Sequence, residues 1–336
     1  MIILSGCLIA VGVLAVSTGA VSIQLSKTWS ILLHHFLGLT PSVEWTGGDS
    51  TIILNLRWPR VISGALVGAA LSIAGAVLQA LLRNPLADPY VLGISSGAAV
   101  GAILAILFGL GSTILGSYAI PGAAFGGALL TLLFVYFLAR VQGRLPSQTM
   151  LLAGVIVSSF FSAIIMFLIS ITTDERLHSV TFWLMGNLAY VASQTLGVIF
   201  LYLLLGSAVL FSLAKDLNLM ALGEETASEL GVEVERVKKT AFIFASLITG
   251  AVVSVSGLIG FVGLVVPHLV RMIWGPDHRF LIPASALLGA LLLVLADMVA
   301  RTIMAPSEIP VGVVTALGGA PFFIYLLRRK GFAANR

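Results

Sequence analysis

The sequence predicts an all-α polytopic membrane protein. About ten transmembrane helices form a single domain over residues 1–336, and helices 2–5 and 7–10 read as an inverted internal repeat. Three observations carry this. Hydrophobic residues make up 59% of the chain and charged residues 10%, against about 45–50% and about 25% in soluble domains. That much apolar surface exceeds what one aqueous core can hide, so lipid is the solvent for a large part of it. Charge-free windows of spanning length recur along the chain. Finally, GAALSIAG (Gly68–Gly75) and GAVVSVSG (Gly250–Gly257) align Gly, Ala, Ser and Gly in one register, and a proline follows each by ten residues, Pro85 and Pro267.

A bilayer core takes about 20 apolar residues of helix. On that length the windows give helices over roughly 2–23, 59–82, 91–110, 116–139, 149–171, 193–213, 240–258, 259–274, 281–300 and 311–327. The first carries no Lys or Arg and is too long for a signal-peptide core, so it reads as a retained span. Its single Cys7, in LSGC, comes too early and without a basic region for a lipoprotein box, and excludes a disulfide framework. Pro89–Ala139 is uncharged throughout and must hold two helices, with GLGSTILGSY as their turn. The eighth helix is short and Pro267 interrupts it. The repeat offset of 182 residues covers five spans, which places the two copies in opposite orientations, as in many transporters. Small residues recurring at helix interfaces are the competing explanation.

Lys and Arg set orientation. With the N-terminus inside, inner loops and the C-terminal tail hold thirteen cations, and outer loops hold five: Lys27, Arg57, Arg60, Arg176 and Arg301. Both termini are then cytoplasmic. The basic pI near 9.4 is thereby a topology signal, and nucleic-acid binding drops out.

Catalytic and metal chemistry find little material. Asp and Glu are nearly absent from helix interiors, with Asp297 near the outer end of helix 9. His34, His35, His178 and His278 read as loop residues, and His268 as a satisfied histidine within a span. No acid ladder for proton coupling is present, which disfavours a proton-coupled secondary transporter. The missing catalytic set disfavours a membrane enzyme. None of the five lysines follows a glycine, so the chain has no Walker phosphate loop. No cofactor and no metal is expected on the chain itself.

Eight charges crowd into the sixteen residues Glu224–Lys239. GEETASELG reads as a short cytoplasmic amphipathic helix between helices 6 and 7, with Leu222, Thr226 and Leu230 on one side. Gly223 and Gly231 serve as its stops, and acids in its first turn suit the helix dipole. A solvated loop helix is the plain reading; a rigid lever for a motor subunit is the other. On the outer side, LRWPR puts Arg57 and Arg60 one turn apart at a helix start, with Pro59 in the first turn. Two cations there oppose the dipole by roughly 0.3–1 kcal/mol each and run against the loop-charge bias. Lipid headgroups or an acidic partner would offset this, and Arg301 could pair with Asp297 four residues earlier.

EETASELG resembles the glutamate-alanine-glycine signature of ABC importer permeases, with Glu225, Ala227 and Gly231 at matching spacing. RNPLADPYVLGISSGAAVGA (Arg83–Ala102), GLIGFVGLVVPHLVR (Gly257–Arg271), ADMVAR (Ala296–Arg301) and EIPVGVVTALGGAPFFIYLLRR (Glu308–Arg329) resemble the iron-siderophore, haem and cobalamin permeases, the transmembrane subunits of type II ABC importers. The resemblance runs over about 55–330. It implies a permease subunit in a bacterial or archaeal plasma (inner) membrane, paired with a second copy into a homodimer or pseudodimer. It also implies two separate ATPase subunits that use ATP and Mg, and a soluble binding protein that delivers a metal chelate: ferric siderophore, haem or cobalamin. Residues 214–236 would form the coupling loop and helix, with Gly223, Glu224, Glu225, Ala227, Leu230 and Gly231 meeting the ATPase. Arg57, Arg60 and Arg301 would dock the binding protein. Helices 5 and 10 would line the path, where Ser158, Ser159 and Ser162 offer small polar groups; helix packing explains those serines equally well.

Overall fold

The computed structural model describes residues 1–334 except 41, 42, 113–115, 190 and 192. Arg336 lies outside this range, and the side chains of Arg328, Arg329 and Lys330 are also outside the described set. The described chain is helical, in the order α1 (Ile2–Ser17), α2 (Leu25–Leu37), α3 (Gly47–Thr51), a π-helical run (Ile52–Arg57), α4 (Trp58–Leu81), a 3-10 turn (Pro89–Leu92), α5 (Ile94–Leu107), α6 (Ala119–Ala139), α7 (Ser147–Ser170), α8 (Asp174–Leu184), α9 (Ser193–Ser212), α10 (Ala214–Met220), α11 (Glu224–Glu229), α12 (Val234–Ser256), α13 (Val262–Trp274), α14 (His278–Thr302) and α15 (Val311–Ala334). Each of the ten windows read from the sequence holds a helix. Six helical stretches are long and apolar enough to cross a bilayer: Gly47–Leu81, Gly116–Ala139, Ser147–Ser170, Ser193–Ser212, Val234–Ser256 and His278–Thr302. The apolar helices α1, α5, α13 and Val311–Tyr325 are shorter.

Burial sorts the long helices. The apolar stretch of α4 is 78% buried, whereas that of α7 is 22%. An all-round apolar helix belongs in a bundle centre, and α4 sits there against α14, α12 and α13. Glycine makes the closest approach possible. A Cβ on Gly68 would lie 2.2 Å from the Gly289 carbonyl oxygen, so the α4 and α14 backbones touch directly. Helices α6, α7 and α9 instead turn Phe137, Ile156, Phe160 and Leu205 outward, which only lipid or another chain can cover.

Pro267 lies inside α13 and cannot donate to the carbonyl of Gly263. Gln79 of α4 replaces the missing donor: its Nε2 donates to the carbonyls of Gly263 (3.4 Å) and Leu264 (3.2 Å), and its Oε1 accepts from Arg271 at 2.6 Å. The short eighth helix therefore stands as a separate element despite its proline.

Several sequence readings are corrected. The first helix stops at Ser17, and a separate amphipathic helix, α2, follows it. His34 and His35 lie on α2, His178 on α8 and His278 at the start of α14, not in loops. The loop assignment equated charge with irregular structure, yet these segments bury apolar side chains, such as Ile31 and Leu32 on α2 and Val180 on α8. The 182-residue register does not mark equivalent positions: Gly75 is inside α4, while Gly257 ends α12 at φ +67°, and Pro85 lies in a linker while Pro267 lies in a helix.

Candidate functional site

The charged stretch at Glu224–Lys239 folds as two helices joined by a glycine turn. In α11 acids stand at both ends with Thr226, Ala227 and Ser228 between them, and Gly231 ends it at φ +86°. The Gly231 N–H donates to the Ser228 carbonyl and the Val232 N–H to the Ala227 carbonyl, the paired bonds of a Schellman stop that only glycine fits without strain. Gly223 opens the helix at φ +137°, another backbone suited to glycine. Ala227 is fully buried against the bundle. Glu224 holds the helix there: one carboxylate oxygen lies 2.5 Å from Lys238 Nζ and the other 3.8 Å from Arg83 at the end of α4. Lys238 is 1% exposed and also donates to the Leu145 carbonyl at 3.2 Å, while the Leu145 N–H donates to Glu235 at 2.8 Å. One short helix is thus tied to α4, α12 and the α6–α7 turn. Its other side is bare. Leu222 is 69% exposed and Leu230 58%, and exposed Glu225 lines a groove of about 1040 Å³ with Ser228 and Gly231.

A second charge cluster lies at the far end of α4 and α14. Asp297 accepts from Arg60 Nε at 2.9 Å and pairs with Arg301 at 3.1 Å, while Arg60 reaches Glu308 at 2.7 Å. Arg57 and Arg301 are buried. Arg301 donates to the carbonyls of Ala15 (2.8 Å) and Thr18 (3.4 Å), and Arg57 to those of Val16 (3.1 Å), Ser17 (2.8 Å) and Val21. Ala15, Val16 and Ser17 belong to the last turn of α1, whose carbonyls have no donors within the helix. The charge that opposes the α4 dipole therefore serves the negative end of α1. The structure brings Arg60 and Arg301 together on Asp297 and places Arg57 apart, on the carbonyls around the end of α1; Arg60, beside half-exposed Glu308, lies nearest the surface.

Ser158, Ser159 and Ser162 of α7 line one cavity of about 620 Å³ with Tyr90, Val91, Val155 and Met166. Tyr90 comes from the 3-10 turn capped by Asp88, which accepts the Tyr90 N–H at 2.9 Å. Its hydroxyl donates to the Ile259 carbonyl (2.8 Å) and accepts from the Ile259 N–H (2.7 Å), spanning the break between α12 and α13. Burial pushes the Asp88 carboxyl up to about 6.

Sequence reasoning missed Lys238, Leu145, Glu235, Gln79 and Tyr90. A lysine and a glutamine near the ends of otherwise apolar helices were the available signals for Lys238 and Gln79. Nothing local marks the Leu145 backbone.

The model of the FecCD transport family matches residues 7–329. The chain belongs to this family. Among FecCD-like relatives, it is 47% identical to the cobalamin import system permease protein BtuC of Halobacterium salinarum over 83% of this chain and 74% of that one. It is 44% identical to the hemin transport system permease protein HmuU of Yersinia pestis, over 83% and 84%. It is 37% identical to the iron(3+)-hydroxamate import system permease protein FhuB of Bacillus subtilis, over 96% and 82%. A solved metal-chelate type ABC transporter in an inward-facing conformation superposes with a TM-score of 0.84 at 33% identity, covering 97% of each chain. The FecCD chain is thus an all-α, multi-pass membrane permease.

Proposed function

We propose that this chain is the permease subunit of an ABC importer for a metal chelate, a ferric siderophore or haem, with cobalamin as the alternative cargo. A binding protein delivers the chelate and two separate ATPase subunits, using ATP and Mg, drive its passage; the chain binds no cofactor of its own. The carrying observation is α11: a Schellman-stopped helix, bolted to three elements through Glu224 and Lys238, with Leu222, Glu225 and Leu230 facing away from the bundle. The relatives named for cobalamin, hemin and hydroxamate import support the cargo class.

In this reading the domain is one unit over 1–336, with ten spans, both termini cytoplasmic, and residues 214–236 as the coupling loop. Ser158, Ser159 and Ser162 face the path, against a second copy of the chain. The inverted repeat rests on the elements: a long helix followed by a short one in α4–α5 and again in α12–α13. Packing is crosswise in both halves, α4 on α14 and α12 on α6. Docking of the binding protein runs through Arg60, where a partner carboxylate displaces Glu308, while Arg57 and Arg301 hold the end of α1 in place.

The test is uncoupling. Glu225→Lys or Gly231→Trp in the assembled transporter should leave ATP hydrolysis running while transport falls at least tenfold. Full transport by both variants refutes the coupling role.

A further inference from the structure

The structure ties the coupling segment to the arginine cluster through two helices, and it does so with a residue that no motif singles out. Asn218 lies on α10, three residues before the turn into α11. Its Nδ2 donates to Asp277 Oδ1 at 2.7 Å, and its Oδ1 accepts from the His278 N–H at 2.9 Å and lies 2.7 Å from His278 Nδ1. Asp277 is the N-cap of α14 and also accepts the Arg279 N–H. The N–H of a helix's first residue has no partner within its own helix, and here a side chain from α10 supplies it. Those bonds, from Arg279 first and Asn218 next, hold the Asp277 carboxyl below the usual carboxylate range.

From His278, α14 runs about 28 Å to Asp297 at 1.5 Å per residue. Helix α4 runs beside it, and the two are in backbone contact at Gly68 and Gly289. At the inner end α4 is joined to α11 by Arg83–Glu224, and α14 is joined to α10 by Asn218. At the outer end Arg60 of α4 and Asp297 of α14 join each other, and Arg301 extends the join to α1.

We propose that α4 and α14 form one connecting rod between the ATPase face and the binding-protein face, and that Asn218 is the positioning residue that fastens the rod to the coupling segment. Moving α10–α11 then moves the first turn of α14, and with it the Arg60–Asp297–Arg301 cluster. Linkage makes the effect reciprocal: nucleotide on the ATPases changes affinity for the binding protein, and the binding protein changes affinity for nucleotide.

This rests on the proposed importer reading, and the experiment separates the two. The complete complex, with its ATPases and binding protein, is assembled in nanodiscs, and binding-protein affinity is measured without nucleotide and with a non-hydrolysable ATP analogue. If the wild-type chain assembles no such complex, the importer reading fails. If it assembles, the wild type should show a nucleotide-dependent change on the order of tenfold. Asn218→Ala, which removes all three contacts, should shrink that change to within about twofold. Asp277→Asn keeps a carbonyl acceptor for both donors and should retain most of it. Hydrogen exchange in the chain alone gives a second reading: Asn218→Ala should raise exchange at His278–Leu281. An undiminished nucleotide effect in Asn218→Ala, or unchanged exchange at that turn, overturns the rod.

Discussion

Glu308 is the residue where the docking account is most exposed to test. Its carboxylate sits 2.7 Å from Arg60, in the place a partner's acid would take. Glu308→Gln removes the competing charge and leaves the buried Arg60–Asp297 pair intact. Binding-protein affinity should rise about two- to fivefold, in line with a partly exposed ion pair of under 1 kcal/mol. The association rate should fall with salt. Unchanged affinity would mean that Arg60 meets no acidic partner. Asp88 offers a test by pH. Its carboxyl titrates near 6 in the fold and near 3.9 unfolded, so the fold favours the protonated form. The stabilisation is complete below about pH 4 and is lost as pH rises through about 6. Asp88→Asn still accepts the Tyr90 N–H and does not titrate. The melting temperature of the wild type in detergent, minus that of the variant, should therefore fall between pH 4 and pH 7; a constant difference contradicts the burial effect. The sequence showed Arg57 and Arg60 as a conflict between charge and helix dipole. It did not show the resolution, because Arg57 and Arg301 find backbone carbonyls at the end of α1, up to 286 residues away in the chain, and Arg60 finds Asp297 and Glu308.

At the scale of elements, α13 depends on α4. The proline inside it leaves the Gly263 carbonyl without a helical donor, and Gln79 fills the gap. Gln79→Ala should cost about 1–3 kcal/mol, the usual cost of stranding buried polar groups. Pro267→Ala returns an N–H to the Gly263 carbonyl, so the double variant should lose less than the sum of the two single changes. Additive losses in a denaturation cycle would show that Gln79 and Pro267 act independently. Helix existence was legible from charge-free windows, because each window is one long apolar stretch. Boundaries and amphipathic pieces were not. Helices α2 and α8 carry polar residues on one side, and their buried sides are visible only once α1 and α5 are packed on them. The eight-residue glycine register was misleading for a related reason. Small residues answer to close approach, and Gly75 and Gly257 answer to different neighbours, the Gly263 carbonyl and the Trp183 carbonyl.

For the whole molecule, charge placement carries the functional account. In a chain with 10% charged residues, one helix pair, α4 and α14, carries a charge cluster at each end. One end joins α11, with its exposed Glu225, and the other joins a cluster centred on Asp297. Two chemistries could drive transport through such a molecule: ATP hydrolysis by partner subunits, or a proton gradient. The measurement that separates them is chelate uptake into proteoliposomes holding this chain, its ATPase subunits and its binding protein. Ferric hydroxamate, haem and cobalamin are each offered, with either ATP or an imposed proton gradient as the energy source. The account predicts uptake of one of these chelates that needs both ATP and the binding protein and is lost in Glu225→Lys. Uptake driven by the proton gradient without ATP, or ATP-driven uptake undiminished in Glu225→Lys, would contradict it.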